Sequence, residues 1–274
     1  MHLRFLLIAF LGLRAFAAAP PPDAPPMPSG IQVLDYGKTS DFPIAWSKAI
    51  KLQVLLKTDD YMVVLGYRIP GERQWGWLEA ADSLSLLCED LNIAFLDGSQ
   101  AHFPVMGRAA RGKWSMLLVP EGEGVGATVS ESLQPKTFLW IKAPPKLPVP
   151  PRRFDPREGQ PPQPTSQQLF GEILKQEKKR GMQSGEPIWV APVKKTPRLA
   201  ASLMIVYGRA EWKPPAQESL LVVLEGAADV RSGSSAQAAT EKTFVRIPKR
   251  FGKSLSISRS SPGAFCALLV TIGP

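Results

Sequence analysis

Two neighbouring segments near the end of the chain constrain its fold more than any other feature. Residues 220–230 (LLVVLEGAADV) are an apolar run that closes on Glu225 and Gly226. A turn-rich gap follows, and then residues 243–257 (TFVRIPKRFGKSLSI). The first run predicts a buried strand ending in a tight turn, where glycine supplies a positive φ. Pro248 lacks an amide donor, so we expect it at the end of a second strand.

Residues 186–274, which contain these segments, resemble the cupin family of β-barrels. The family's first motif places an HxH pair, then a glutamate seven residues before the glycine. Counting back from Gly226, Ser219 stands at the glutamate position and residues 213–215 (KPP) stand near the two histidines. Lys253 stands at the histidine of the second motif, and Arg250 stands where the family prefers glycine.

None of these residues is a good ligand for a transition metal, because such sites need neutral imidazole and carboxylate groups. A lysine is protonated at neutral pH and repels a cation. The resemblance therefore implies a divergent cupin-like barrel without metal or other cofactor. Another small antiparallel β-fold with the same turn chemistry is the alternative.

Residues 1–17 have the pattern of a secretory signal. The apolar run 5–13 is too short to span a bilayer, and residues 15–17 (AFA) fit a cleavage site. We expect cleavage after Ala17 and a secreted or periplasmic mature protein, with a retained N-terminal helix as the alternative. Residues 18–30 are proline-rich, which predicts an extended tether.

Residues 31–142 contain short runs of β-branched and aromatic residues separated by turn signals. This spacing predicts a β-sandwich of immunoglobulin-like type. Trp75 and Trp77 are two residues apart, so a strand would place both on one face. Such a pair either packs in the core or stacks on a sugar ring, and the sequence leaves both interpretations open.

Residues 143–164 are dense in proline and predict a polyproline II linker. Thr165 and Gln168 form a capping-box pattern, which predicts a short helix over residues 166–180 that ends at Gly181. The apolar stripe of this helix favours packing on the barrel that follows, with membrane-surface binding as the alternative. The predicted chain is mainly β, with two domains.

Few residues are candidates for catalysis. The chain has two histidines, His2 in the signal and His102, and it lacks the HExxH, CxxC, GxSxG and phosphate-loop motifs. Cys88 and Cys266 lie in apolar strands of different domains and are predicted to be free buried thiols, with an interdomain disulfide as the alternative. The sequence favours a non-enzymatic role, although an enzyme without a known motif stays open.

The formal net charge of +9 is concentrated in the second half of the chain. From residue 144 onward there are 20 Lys and Arg against 10 Asp and Glu, whereas residues 18–143 have 11 against 14. Lys249, Arg250 and Lys253 follow the predicted strand 243–247, where a loop would border the barrel mouth. This cluster predicts an anion-binding site, with a solvated rim as the alternative.

Three functional hypotheses follow. The first is an exported, non-enzymatic binding or scaffolding protein with a metal-free barrel. The second is a carbohydrate-binding or carbohydrate-processing envelope protein that uses the barrel cavity or the pair Trp75 and Trp77. The third is a peripheral envelope protein held by its basic half. The expected partner is an anionic glycan, a lipid surface or a protein rather than nucleic acid.

Overall fold

A computed structural model describes residues 30–47, 50–69, 74–87, 91–95, 100–103, 115–122, 124–129, 136–148 and 170–273. These ranges are mostly strand, and they include one helix. The first strands are β1 (Gln32–Asp35), β2 (Ile44–Ala45), β3 (Ile50–Lys57), β4 (Met62–Arg68), β5 (Gln74–Leu78), β6 (Asp82–Leu87), β7 (Leu91–Phe95), β8 (Gln100–Phe103), β9 (Ser115–Val119), β10 (Gly124–Val129) and β11 (Lys136–Ala143). The later elements are α1 (Phe170–Ser184), β12 (Ile188–Lys195), β13 (Leu199–Val206), β14 (Arg209–Trp212), β15 (Glu218–Glu225), β16 (Ala227–Ser232), β17 (Ser235–Thr240), β18 (Thr243–Ile247), β19 (Leu255–Arg259) and β20 (Phe265–Ile272).

The strands form four antiparallel sheets, and the two halves of the chain repeat one topology. In the N-terminal half the large sheet has the order β2-β3-β4-β11-β6-β9 and the small sheet β5-β10-β7-β8. In the C-terminal half the orders are β12-β13-β20-β15-β18-β1 and β14-β19-β16-β17. Adding nine to each strand number from β3 to β11 converts the first pair of sheets into the second, so the two halves are structural repeats.

The prediction of an immunoglobulin-like N-terminal domain is not confirmed. The strands are short and antiparallel, as expected, but their order follows that of the C-terminal half. Strand periodicity predicts that a chain forms sheets, and it does not determine which distant strands become neighbours. The prediction of a mainly β chain is confirmed.

The large sheets of the two halves pack face to face through a shared apolar core. Alternate residues of each strand point into this core, because successive side chains of a strand face opposite ways. The N-terminal half contributes Val63, Leu65, Leu84, Leu139 and Ile141 among others, and the C-terminal half contributes Leu203, Ile205, Leu220, Val222, Leu268 and Val270. All of these side chains are buried.

Residues near the N-terminus belong structurally to the C-terminal half. β1 pairs with β18, with Gln32 opposite Arg246 and Val33 opposite Val245. The amide of Val33 donates to Oε1 of Gln237 at 2.9 Å. Within the described residues, the chain therefore passes along the C-terminal sheet in β1 before it enters the N-terminal sheets. Whether the halves fold as separate domains stays a prediction, and the residues of the linker after 148 lie outside the described ranges.

The helix α1 differs from its prediction at the C-terminal end. It continues to Ser184, so Gly181 lies inside the helix and not at its end. A Cβ on Gly181 would lie 2.8 Å from Cβ of Trp189, which explains a glycine at this buried position. Gly185, with a φ of +74°, follows the helix. Residues 166–169, where the start was predicted, lie outside the described ranges.

Packing of α1 agrees with the predicted position of the helix. Leu174 is buried in the shared core, and Ile173 packs against that core. Nε1 of Trp189 on β12 donates to Oε2 of Glu177 at 2.9 Å. No helix in the described ranges is both long and apolar enough to cross a membrane.

Strand and turn details near the C-terminus match the sequence analysis. β18 has the predicted bounds 243–247, and Gly226 has a φ of +77° directly after β15. Cys266 is free and buried, as predicted. Cys88 lies outside the described ranges, as do residues 1–29 with the predicted signal.

Candidate functional site

The space between the two sheets of the C-terminal half is filled by apolar side chains. The inward faces of the large sheet and of the small sheet form one buried cluster. It includes Met204, Val206, Leu221, Val223, Val245, Ile247, Phe265 and Leu269 from the large sheet, with Ala210, Val230, Ala239, Leu255 and Ile257 from the small one. The interior of this barrel is a packed core.

The positions that would hold a cupin metal do not fit one. Ser219 is completely buried on β15, and its hydroxyl donates to the carbonyl oxygen of Gln217 at 3.3 Å. Lys213 and Lys253 are exposed, and Pro214 offers no side-chain ligand. Among the described residues, no three His, Cys, Asp or Glu side chains are grouped as a metal site requires. Hydroxyl and ammonium groups lack the donor chemistry of a transition-metal centre.

The N-terminal half carries a buried cation at the corresponding place. Ser83 pairs with Lys142 as Ser219 pairs with Thr271, so these residues are equivalent in the repeat. Nζ of Lys142 lies 2.6 Å from Oε2 of Glu79 and 3.0 Å from Oγ of Ser83.

Lys142 is completely buried, and its Nζ lies 4.4 Å from the centroid of the Trp140 ring. Burial lowers the pKa of Lys142, and the carboxylate of Glu79 opposes that shift. The amino group of Lys142 is therefore the partner of the Glu79 carboxylate at this place. Sequence reasoning missed this pair. Residues 138, 140 and 142 share one face of β11, because side chains alternate along a strand. Phe138 and Trp140 could therefore have indicated that Lys142 points inward.

The predicted anion-binding residues lie in the connection between β18 and β19, and all three are exposed. The amide of Lys249 donates to Oε2 of Glu218 at 3.3 Å. The amide of Arg250 donates to the carbonyl oxygen of Ala216 at 2.8 Å, and Arg250 has a φ of +57°. These backbone contacts fix the loop against the segment that leads into β15. No ion pair joins Lys249, Arg250 or Lys253 to any described residue.

Arg246 belongs to the same basic stretch of sequence but is not part of this surface. It is 6% exposed, and its Nε donates to Oε1 of Glu218 at 2.7 Å. The hydroxyl of Tyr61 donates to the same oxygen at 2.8 Å, across the boundary between the halves. Burial and the Glu218 carboxylate raise the pKa of Tyr61, so the hydroxyl keeps its proton and remains a donor.

An open cleft of about 720 Å³ lies at the same end of the C-terminal barrel. That end is where β13 and β15 begin and where β18 and β20 finish, as the pairs of Ser219 with Ile247 and Thr271 show. The cleft is lined by Lys195, Thr196, Pro197, Arg198, Leu199, Ala200, Pro215, Gln217, Thr271 and Gly273. Sequence reasoning missed it, because the turn and the segment that form it are far apart in the chain.

Among the described residues, six exposed cations lie on the segments at this end of the barrel, which we call the basic end. They are Lys195, Arg198, Lys213, Lys249, Arg250 and Lys253. Charges of one sign around an opening raise the local potential and attract counter-ions. The predicted loop and the cleft are therefore parts of one basic surface.

The predicted aromatic pair lies on β5, where Trp75 pairs with Ala127 and Trp77 with Val125 of β10. His102 lies on β8 opposite Asn92. These three residues belong to the small sheet of the N-terminal half, and their use in ligand binding stays a prediction.

Comparison with solved structures decides the fold. Salicylate 1,2-dioxygenase from Pseudaminobacter salicylatoxidans matches with a TM-score of 0.63 at 11% identity, over 90% of this chain and 85% of its own. A cupin 2 conserved barrel domain protein from Leptotrichia buccalis matches with a TM-score of 0.53 at 10% identity, over 88% and 96%. The fold is cupin-like.

A putative glyoxylate-induced protein from Pseudomonas aeruginosa has the same cupin-like arrangement, with a TM-score of 0.54 at 13% identity over 93% of each chain. Because these matches cover about nine tenths of the chain, the similarity includes both halves. No protein-family model matches the sequence, and no curated protein matches it significantly. The similarity is one of fold alone.

Proposed function

We propose that this chain is an exported, non-enzymatic, cupin-like binding protein whose basic end holds an anionic partner. The observation that carries the proposal is the group of six exposed cations at one end of the C-terminal barrel. Electrostatic attraction of this kind steers an anionic ligand and strengthens its contacts. Export rests on the signal pattern of residues 1–17.

Two buried or half-buried carboxylates lie near the basic end, and one of them is paired with a cation. The carboxylate of Glu218 accepts hydrogen bonds from Tyr61 and Arg246, which is itself cationic. The two oxygens of Asp82 accept the amides of Glu121 and Arg198, at 2.9 Å and 2.6 Å. The six exposed cations therefore outnumber these two carboxylates, of which Glu218 is already paired with Arg246.

The packed interior supports a binding role and not catalysis inside the C-terminal barrel. An oxygenase such as the neighbour salicylate 1,2-dioxygenase would need room and polar groups for its reactants, whereas this interior is mostly apolar and buried. The residues at the ligand positions also lack the donor chemistry for a metal. Binding is therefore expected on the outside of the barrel, at the basic end.

The test is to replace Lys249, Arg250 and Lys253 together by serine and measure binding to polygalacturonate and heparin at low and physiological salt. We expect the variant to lose most of the salt-sensitive binding. A matched control removes three exposed cations elsewhere, at Lys51, Lys175 and Lys179. Equal losses in both variants would mean that net charge alone drives binding, and no binding by the parent would overturn the proposal.

One further measurement distinguishes the third hypothesis, attachment to a membrane surface, from binding of an anionic glycan. Sedimentation with vesicles that contain phosphatidylglycerol is expected to leave the protein in solution at physiological salt, since exposed charges are screened there. Co-sedimentation that depends on the same three residues would instead favour a peripheral envelope protein.

A further inference from the structure

The turn that borders the cleft is held rigidly by its backbone. The amide of Arg198 donates to Oδ2 of Asp82 at 2.6 Å, and the carbonyl oxygen of Arg198 accepts the amide of Gly273 at 2.8 Å. Within the turn, the amide of Thr196 donates to the carbonyl oxygen of Leu199 at 2.7 Å, and its Oγ1 accepts the Leu199 amide at 3.1 Å. A turn fixed in this way loses little freedom when a ligand binds.

The charged side chains on this turn are free to bind. Lys195 and Arg198 are exposed, and neither forms an ion pair or a side-chain hydrogen bond with any described residue. The carboxylate of Asp82, which accepts the Arg198 amide, is buried and also accepts the amide of Glu121. A guanidinium beside an ammonium matches a carboxylate or a phosphate, because the planar guanidinium donates two parallel hydrogen bonds.

The rest of the cleft has apolar walls and two neutral polar groups. Pro197, Pro215 and Ala200 supply small apolar surfaces. The hydroxyl of Thr271 and the amide of Gln217 are half-buried, and neither side chain has a hydrogen-bond partner among the described residues. Apolar walls with a few convergent polar groups and a volume of about 300–1,000 Å³ are typical of small-molecule sites.

We propose that this cleft binds a hydroxylated organic anion of monosaccharide size, namely a sugar acid or a sugar phosphate. Arg198 and Lys195 hold the anionic group. Gln217 and Thr271 bind ring hydroxyls, while Pro197 and Pro215 cover the C–H faces of the ring. This assignment rests on the proposed binding function and names the ligand class and the subsite for it.

The experiment is isothermal titration of the full mature chain with four probes at low and physiological salt. Glucuronate and glucose 6-phosphate separate the two sources of the anion, glucose lacks the charge, and benzoate lacks the hydroxyls. We expect saturable binding of at least one sugar anion. Glucose and benzoate are expected to bind about tenfold or more weakly, because glucose cannot make the charged contacts and benzoate cannot make the hydroxyl contacts. Equal binding of glucose, or of benzoate, would overturn the assignment.

Three variants locate the site. Arg198→Ser is expected to weaken binding by about tenfold to a hundredfold, since it removes a charge-assisted hydrogen bond. Lys194→Ser is the matched control, because Lys194 is exposed beside Lys195 but does not line the cleft. Ala200→Phe fills the cleft while it keeps every cation, so it is expected to abolish binding. Binding that survives Ala200→Phe, or that falls equally in Lys194→Ser, would place the ligand elsewhere.

Failure of the ligand assignment is distinguishable from failure of the binding function. Thermal unfolding of each variant without ligand checks that the fold survives. Proton NMR spectra of the probes after long incubation are expected to show them unchanged, and their conversion to a product would contradict a non-enzymatic role. Loss of polyanion binding on replacing Lys249, Arg250 and Lys253, with no binding of either sugar anion, would refute only the cleft assignment.

Discussion

Nζ of Lys142 lies 2.6 Å from Oε2 of Glu79, and both side chains are buried in the N-terminal half. The C-terminal half has Thr271 and a packed apolar interior at the equivalent place. One topology therefore accommodates an internal ion pair in one repeat and a mostly apolar core without an ion pair in the other. Neither solution uses the histidine ligands of a cupin metal site.

We predict that Lys142→Met destabilises the chain by about 3–5 kcal/mol, because it leaves the Glu79 carboxylate buried without its cation. The double variant Lys142→Met with Glu79→Gln removes both charges and is expected to recover a large part of that loss. Urea unfolding followed by circular dichroism measures both free energies. A double variant no more stable than the single one would show that the two residues do not act as a pair.

Gly181→Ala is expected to destabilise the protein by about 1–3 kcal/mol through overpacking. Alanine normally favours a helix over glycine by about 1 kcal/mol, so the expected sign is the reverse of helix propensity. The added Cβ would lie 2.7 Å from Oη of Tyr207, whose hydroxyl donates to the carbonyl oxygen of Lys178. Gly208→Ala is the control, since no atom lies within 4 Å of its Cβ position. A higher melting temperature for Gly181→Ala than for the parent would contradict this packing.

The buried thiol of Cys266 makes stability fall in alkaline solution. Burial raises its pKa to about 12, against 9.0 for an exposed thiol. Above pH 9 the unfolded chain therefore loses this proton while the folded chain keeps it, so the free energy of unfolding decreases as pH rises from 9 towards 12. At pH 10.5 the loss is about 1–2 kcal/mol. Urea titrations between pH 8 and 10.5 measure the free energy of unfolding, which is expected to fall less steeply with pH in Cys266→Ala than in the parent. The same pH dependence in both proteins would show that Cys266 is not the group responsible.

Cleavage within the linker is expected to leave the two halves bound to each other. β1 pairs with β18, and the two large sheets share one apolar core, so the fragments bury large surfaces together. Limited proteolysis is expected to cut first within residues 143–163, as the density of proline predicts. The nicked protein should then elute as one species in size-exclusion chromatography. Fragments that separate without denaturant would show that the halves are independent.

The C-terminal strands could be predicted from sequence because each local signal agreed with the fold. Gly226 has the positive φ that its turn requires, and β18 ends before Pro248 as expected. The repeat in the N-terminal half could not be predicted, because the equivalent interior positions carry different chemistry. Ser85 and Lys142 face inward there, whereas Leu221 and Thr271 hold the matching places.

Half of the basic end could likewise be read from sequence and half could not. Lys249, Arg250 and Lys253 are neighbours in the chain, so a local charge pattern indicates them. Lys195 and Arg198 join them only because β13, β15, β18 and β20 are antiparallel neighbours that bring their ends together. Arg246 lies in the same basic stretch, but it is on the face of β18 that is turned to the N-terminal half, where it binds Glu218.

The most direct test of the account is the metal content of the full mature chain, purified without chelator from cells grown with added iron, manganese, zinc and nickel. We expect transition metal far below one ion per chain, since Ser219, Lys213 and Lys253 offer no suitable donors. Elemental analysis that finds about one ion per chain, retained through dialysis, would contradict the account, because a metal centre would then exist where it assigns none.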